Sequence, residues 1–163
     1  MNLLRSSEIR EIFKQIKLVI FDLEGIVICN GLENGCKNYG ECNYKKFHQL
    51  CSLIKKEKKV TAIITGAIIK EEQKNLLNVD YIIESSLDKV GNAKKLIDEL
   101  GITFDECCFI ADGLLDIPLL EKVLLPISVK KAKREVKRFA KYICEQKCIL
   151  CELTELFFGV KNE

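Results

Sequence analysis

The stretch KLVIFDLEGIVI, residues 17–28, decides the fold: four apolar residues, Leu18 to Phe21, run directly into Asp22, Leu23, Glu24 and Gly25. A run that is apolar on both faces is the mark of a strand covered by helices on either side, the interior position of a parallel sheet. In such sheets ligands gather beyond the C-terminal strand ends, which is where Asp22 and Glu24 stand. Gly25 allows the chain to turn sharply behind them. Acids at this point either mark where a strand meets water or work as a pair of carboxylates, and the rest of the chain has to decide.

Outward from that strand, helical and strand patterns alternate. Ile9, Ile12, Phe13 and Ile16 recur at helical spacing after a Ser6 or Ser7 cap, giving a first helix. Residues 26–42 are short, Gly- and Asn-rich, with Asn34-Gly35 as a hairpin turn, so a small β-hairpin projecting over the strand end is expected. An amphipathic helix follows through Tyr44, Phe47, Leu50, Cys51 and Ile54, then strand 60–64, a helix over about 68–77 and strand 81–83. After these come helix 89–100 ended by Gly101, strand 107–110, a short helix after Pro118, strand 125–129, a basic helix from Lys131, a short strand near Tyr142 and a last helix through Leu156. The alternation predicts an α/β fold, a three-layer Rossmann-like parallel sheet with helices on both faces.

Composition narrows the setting. At 163 residues and 48% hydrophobic side chains, one domain spanning 1–163 with a substantial core is expected. Lys and Arg total 26 against 24 acids, a net charge of +2, which argues for neither nucleic acid nor membrane. No apolar run approaches the roughly 18 residues of a spanning helix, and MNLLRSSEIREIF is charged and helix-patterned rather than signal-like, so a cytoplasmic protein is expected. Nine cysteines are many for that compartment. Cys107 and Cys108 fall in an apolar strand as small hydrophobes. Cys148-Ile149-Leu150-Cys151 has metal-ligand spacing but no second such pair, and His48 is the only histidine. His48 reads as a surface residue, the basic helix as a solvated face, and Leu153 to Val160 as packing or a tail at a subunit interface.

Four predicted strands deliver polar groups to one edge: Asp22 and Glu24; Thr65 and Gly66; Ser85 and Ser86 with Asp88 and Lys89 beyond; Asp112 and Asp116. The set is coherent for phosphoryl transfer. Carboxylates from two strands can hold Mg²⁺, a hard cation that prefers oxygen. Lys89 and Thr65 can bind a phosphate, Asp22 can attack phosphorus, and Glu24 can serve as general acid and then base.

In this order the motifs resemble those of the haloacid dehalogenase-like superfamily: a strand ending D-x-D-G, a strand ending in Thr or Ser before Gly, a Lys opening a helix, and an acidic segment. Here they read Asp22-Leu23-Glu24-Gly25, Thr65-Gly66, Asp88-Lys89 and Asp112-Gly113-Leu114-Leu115-Asp116. The segment KLIDELGITFDECCFIADGLLDIPLLEKV is similar to the small cap-less sugar-acid phosphatases typified by 3-deoxy-manno-octulosonate 8-phosphate phosphatase. The resemblance covers about residues 15–158. It implies a Mg²⁺-dependent phosphatase working through an aspartyl phosphate on a small phosphorylated substrate, with Asp22, Glu24, Thr65 and Lys89 catalytic. It also implies Thr65, Gly66 and Lys89 on the substrate, and Asp22, Asp112, Asp116 and the Glu24 backbone carbonyl at the metal, Asp116 in a supporting place. A homotetramer is implied as well. Position 22 precedes position 65 by 43 residues and position 65 precedes position 89 by 24, which leaves no room for a cap domain.

Several positions depart from that pattern. Glu24 stands where the family has Asp, moving the general acid by about one carbon–carbon bond, and about 1 Å of misplacement can cost on the order of a hundredfold in rate. Ala67 replaces an Arg, removing a fixed donor fork. Lys46-Phe47-His48, Ile28-Cys29, Gly113 and Cys148 to Cys151 replace an Arg-Asp-Gly, a Thr-Asp, an Asp and a glycine-rich loop. An alternative therefore stays beside the phosphatase, a catalytically degenerate binding or assembly module. The acids at 112 and 116 favour the enzyme, since pure assembly has no need of them.

Overall fold

The computed structural model describes residues 2–28 and 39–160. Chain order gives α1 (Ser6–Phe13), β1 (Leu18–Phe21), α2 (Tyr39–Lys56), β2 (Val60–Ile64), α3 (Glu71–Lys74), β3 (Tyr81–Ile83) and α4 (Lys89–Leu100). Then follow β4 (Cys107–Ile110), α5 (Ile117–Lys122), β5 (Leu125–Val129), α6 (Arg134–Lys137), β6 (Tyr142–Cys144) and α7 (Ile149–Phe158).

The strands form one six-stranded sheet in the order β3-β2-β1-β4-β5-β6, every pairing parallel. This is the expected α/β, Rossmann-like sheet. Strand β1 lies between β2 and β4, with Phe21 level with Ile63 and Ile110, and all four of its residues are buried. That accounts for its unbroken apolar run. The order reverses at β1: the chain moves one way through α2 to β2, and the other way through α4 to β4. Right-handed crossovers then put the two sets of helices on opposite faces. Accordingly α1, α2 and α7 pack together, as do α4 and α5. Phe13 stacks on Phe157 at 4.2 Å between ring centres, and Phe21 meets Phe47 edge to face at 5.0 Å, tying α1 to α7 and β1 to α2.

Four details differ from expectation. Arg5, not Ser6 or Ser7, is the N-cap of α1; its N–H is taken by the Glu8 carboxylate at 2.7 Å, so the helix begins one residue earlier. The helix expected over 68–77 is a single turn, α3, because residue 69 is pinned first: Ile69 is buried and its N–H donates to Glu84 Oε1 at 2.5 Å. The basic helix expected from Lys131 shrinks to α6, since Lys130 N–H donates to Cys144 O and Ala132 N–H to Val129 O, holding residues 130–132 in a turn against β6. Helix α2 opens at Tyr39, so positions 39–42, read as part of the projecting hairpin, are helical. Cys148 and Cys151, whose spacing had no second pair to make a metal site, form a disulfide. The turn of that hairpin at Asn34-Gly35 lies outside the described residues. Between β2 and β3 the described chain carries no element besides α3. No described helix is long and apolar enough to cross a membrane. His48 is exposed, and Cys107 and Cys108 are fully buried, as read from the sequence.

Candidate active site

The C-terminal edge of β1 and β4 is where the fold concentrates charge. Asp22 continues β1, its N–H donating to Ile110 O at 3.0 Å, so the residue is fixed before its side chain does anything. The carboxylate Oδ1 accepts from Leu23 N–H at 2.9 Å and from Lys89 Nζ at 3.0 Å. Lys89 is the first residue of α4, delivered there because Asp88 caps the helix by accepting from Gly91 N–H. Its ammonium reaches across to a second acid, Asp116 Oδ1, at 2.5 Å. Asp116 in turn accepts from Gly113 N–H at 2.9 Å, so the acid is held by its own loop, the 3-10 turn Leu114–Asp116. Ser128 Oγ donates to Ala111 O at 2.8 Å, fixing the backbone beside Asp112.

Asp22, Asp112 and Asp116 offer carboxylate oxygens within 4.8 Å of one another. Gly25 makes that approach feasible: its φ is +84°, and a Cβ there would fall inside the Asp112 carboxylate. Three acids facing one ammonium leave surplus negative charge in a largely dry place. Burial, and then the Asp116 charge, push the Asp22 carboxyl up to about 7 against the opposing pull of Lys89. Asp112 is raised for the same two reasons. Burial works against the charge on Lys89, but Asp22 and Asp116 outweigh it and hold the ammonium above its ordinary value. A cluster that must keep protons when alone is one that a hard divalent cation with oxygen ligands fits. Mg²⁺ meets that donor set.

The remaining sequence candidates line the same cleft, about 1180 Å³ in volume. Thr65 is buried at the end of β2; its Oγ1 accepts from Ala67 N–H at 3.1 Å, which leaves the hydroxyl proton free to donate. Gly66 borders the opening. Ser85, at φ 50°, is a left-handed residue that returns the chain beside β2, with Ser85 N–H on Ala67 O and Ser86 N–H on Thr65 O. Glu24 also lines the cleft but is exposed, and its carboxylate stands apart from the three-acid cluster. The sequence reading missed the opposite wall: Lys130, Lys131 and Lys133 after β5, and Gln146, Lys147 and Ile149 after β6. The strand-end rule that flagged Asp22 could have flagged the lysines too, since they directly follow the last residue of β5.

Comparison with known proteins accords with this geometry. The family pattern described as haloacid dehalogenase-like hydrolase matches residues 41–148. The chain belongs to this family. Among relatives of the haloacid dehalogenase-like hydrolase described here is the 3-deoxy-D-manno-octulosonate 8-phosphate phosphatase of Escherichia coli strain B / BL21-DE3. It is 26% identical over 132 residues, 78% of this chain and 69% of the relative. The crystal structure of the corresponding Moraxella catarrhalis phosphatase, in complex with magnesium ion, phosphate ion and KDO, superposes with a TM-score of 0.76. The two are 25% identical, over 97% of this chain and 94% of that one. The cobalt-bound phosphatase of Haemophilus influenzae shares the fold, TM-score 0.75, at 18% identity over 89% and 88% of the two chains. The protein is thus a hydrolase by family, and these relatives are phosphomonoester hydrolases, in agreement with the motif order.

Proposed function

We propose that the protein is a Mg²⁺-dependent phosphomonoester hydrolase acting on a small phosphorylated metabolite, with a sugar acid phosphate as the substrate class. The observation that carries the reading is the buried cluster of Asp22, Asp112 and Asp116 bridged by Lys89. An assembly module would gain nothing from three crowded carboxylates, whose mutual repulsion costs stability. Supporting the acid-bearing substrate is the far wall, where Lys130, Lys131 and Lys133 face the same cleft.

In this reading Asp22, Asp112 and Asp116 hold the cation, together with the Glu24 backbone carbonyl. A bound Mg²⁺ would neutralise charge on the phosphate oxygens and on the crowded acids. Thr65 Oγ1 and the Gly66 backbone bind phosphate oxygens from one side and the Lys89 ammonium from another. The second oxygen of Asp22, not committed to Leu23 and Lys89, attacks phosphorus. As the P–O bond to the leaving group breaks, Glu24 gives that oxygen a proton, leaving an aspartyl phosphate. Glu24, now ionised, takes a proton from the water that attacks phosphorus, which frees phosphate and restores Asp22. A single domain spanning 1–163, assembling as a homotetramer, belongs to the same proposal, and light scattering on the eluting protein checks the assembly.

The decisive experiment is steady-state hydrolysis of phosphorylated sugars and sugar acids with Mg²⁺ by wild type, Asp22→Asn and Glu24→Asp. Hydrolysis that Asp22→Asn abolishes supports the proposal. An inert wild type alongside an active Glu24→Asp would make the present site a retired one.

A further inference from the structure

The Cys148–Cys151 pair sits at an unusual point. Its disulfide closes the first turn of α7, and residues on both sides of Cys148, Lys147 and Ile149, line the cleft. The two sulfurs are not equivalent. Cys148 is the N-cap of α7: its Sγ accepts from Cys151 N–H at 3.2 Å, at the positive end of a ten-residue helix. A second donor comes from far along the chain, Lys46 Nζ on α2, 3.5 Å from the same sulfur. An amide, a helix terminus and an ammonium all favour negative charge on Cys148 Sγ, the surroundings in which a cysteine serves as the nucleophile. By contrast, the cysteines at 51, 107, 108 and 144 are buried, and burial pushes each of their thiols up. Cys148 and Cys151 are each only half-buried, so a small thiol can reach them.

We propose that Cys148 and Cys151 form a redox-active dithiol–disulfide site, exchanging with low-molecular-weight thiols and disulfides through Cys148, whose state sets the cleft wall at residues 146–149. In the oxidising direction the Cys148 thiolate attacks one sulfur of a disulfide such as oxidised glutathione. The glutathione S–S bond breaks, one glutathione thiolate leaves and takes a proton from water, and a mixed disulfide stands on Cys148. The Cys151 thiolate then attacks Cys148 Sγ, expels the second glutathione and closes the ring. Two protein thiols are oxidised and one glutathione disulfide is reduced; excess reduced glutathione runs the same steps backwards. Closing the ring ties Cys148 to Cys151 covalently, so the turn bearing Lys147 and Ile149 is fixed in the oxidised form and held only by the sulfur cap in the reduced one.

The test uses the full chain and does not depend on phosphatase activity. Wild type is equilibrated at graded ratios of reduced to oxidised glutathione, thiols are trapped with a maleimide, and residues 148 and 151 are counted by peptide mass spectrometry. Reversible two-thiol titration of this pair is expected, with the four buried cysteines unlabelled until denaturation. A pair that stays in one state at every ratio overturns the proposal, and this arm needs no variant. In Cys151→Ser, checked for folding by circular dichroism, glutathione should accumulate on Cys148. In Cys148→Ser, Cys151 should be modified several-fold more slowly than Cys148 is in Cys151→Ser, since the Cys151 N–H and the Lys46 ammonium both point at Cys148 Sγ. Equal rates would overturn the assignment of the exchanging sulfur. Hydrogen exchange over residues 145–152 should quicken on reduction; identical exchange in both states would overturn the coupling to the cleft wall.

Discussion

The two walls of the cleft are built on different physical terms. On the side of β1 and β4, each functional group is held by partners that have nothing to do with a substrate: Asp22 by Leu23 N–H and Lys89, Asp116 by Gly113 N–H and Lys89. The charges are buried, and their strain is mutual. On the side of β5 and β6 the lysines at 130, 131 and 133 are exposed; the ion pair of Lys130 with Glu145, at 4.0 Å, joins two solvated side chains. Such pairs are worth little and rearrange freely. Positions that carry chemistry are thus over-determined, and positions that meet the rest of a substrate are not, which is how one set of reacting groups can serve different substrates.

The contrast is broken most severely at the nucleophile. Asp22→Asn should lower kcat by at least about a thousandfold, the scale of removing a covalent nucleophile. The same change should stabilise the metal-free protein, because the carboxyl is pushed up to about 7 in the fold from an ordinary 3.8. The sign follows from proton linkage: between those values the folded state binds the extra proton, so stability falls as pH rises from about 4 to about 7, by at most about 4 kcal/mol. Melting curves without Mg²⁺ should therefore favour Asp22→Asn at pH 8 and not at pH 4. A wild type whose metal-free stability is flat over that range would contradict the crowding.

Lys89→Met comes next. It leaves Asp22 and Asp116 without their shared counter-charge, and removing one partner of a buried ion pair typically costs about 3–5 kcal/mol. Added Mg²⁺ should restore much of the melting temperature but not the rate, since the phosphate contact is gone. Mg²⁺ binding to wild type sharpens the comparison: affinity measured by calorimetry should rise about tenfold per pH unit up to about pH 7, while the Asp22 proton competes, and level above it. The smallest effect belongs to the other wall. Lys131→Ala with Lys133→Ala should raise KM several-fold for an acid-bearing sugar phosphate, leave kcat unchanged, and spare a neutral sugar phosphate. Equal losses on both substrates would assign these lysines to general attraction of anions.

How much of this was legible in the sequence follows the same division. Strand β1 announced itself because a central strand buried on both faces admits only apolar residues, and Asp22, Lys89, Asp112 and Asp116 were found because one sheet edge collects the ends of all its strands. Local patterns misled where a long-range contact took precedence. Residues 68–77 carry apolar residues at helical spacing, yet Glu84, arriving from β3, captures the Ile69 N–H and leaves only α3. The turn at Lys130 is set by Cys144, fourteen positions later. The pairing of Lys46 with Cys148 joins positions 102 apart, and no periodicity encodes it. Spacing alone could not tell a metal-binding Cys148 and Cys151 from a bonded pair.

The close approach of Gly25 to Asp112 has a consequence for inheritance. Since any side chain at 25 would occupy the space of the carboxylate at 112, the two positions behave as one unit under mutation. A library randomised at 25 alone should return glycine among its active members. A library randomised at both should gain folded but inactive members in which 112 has shrunk to Ala or Gly. A Cβ at 25 would push the Asp112 carboxylate out of the cluster, and the left-handed backbone there disfavours any other residue, so the neutral drift open to most surface turns is closed here.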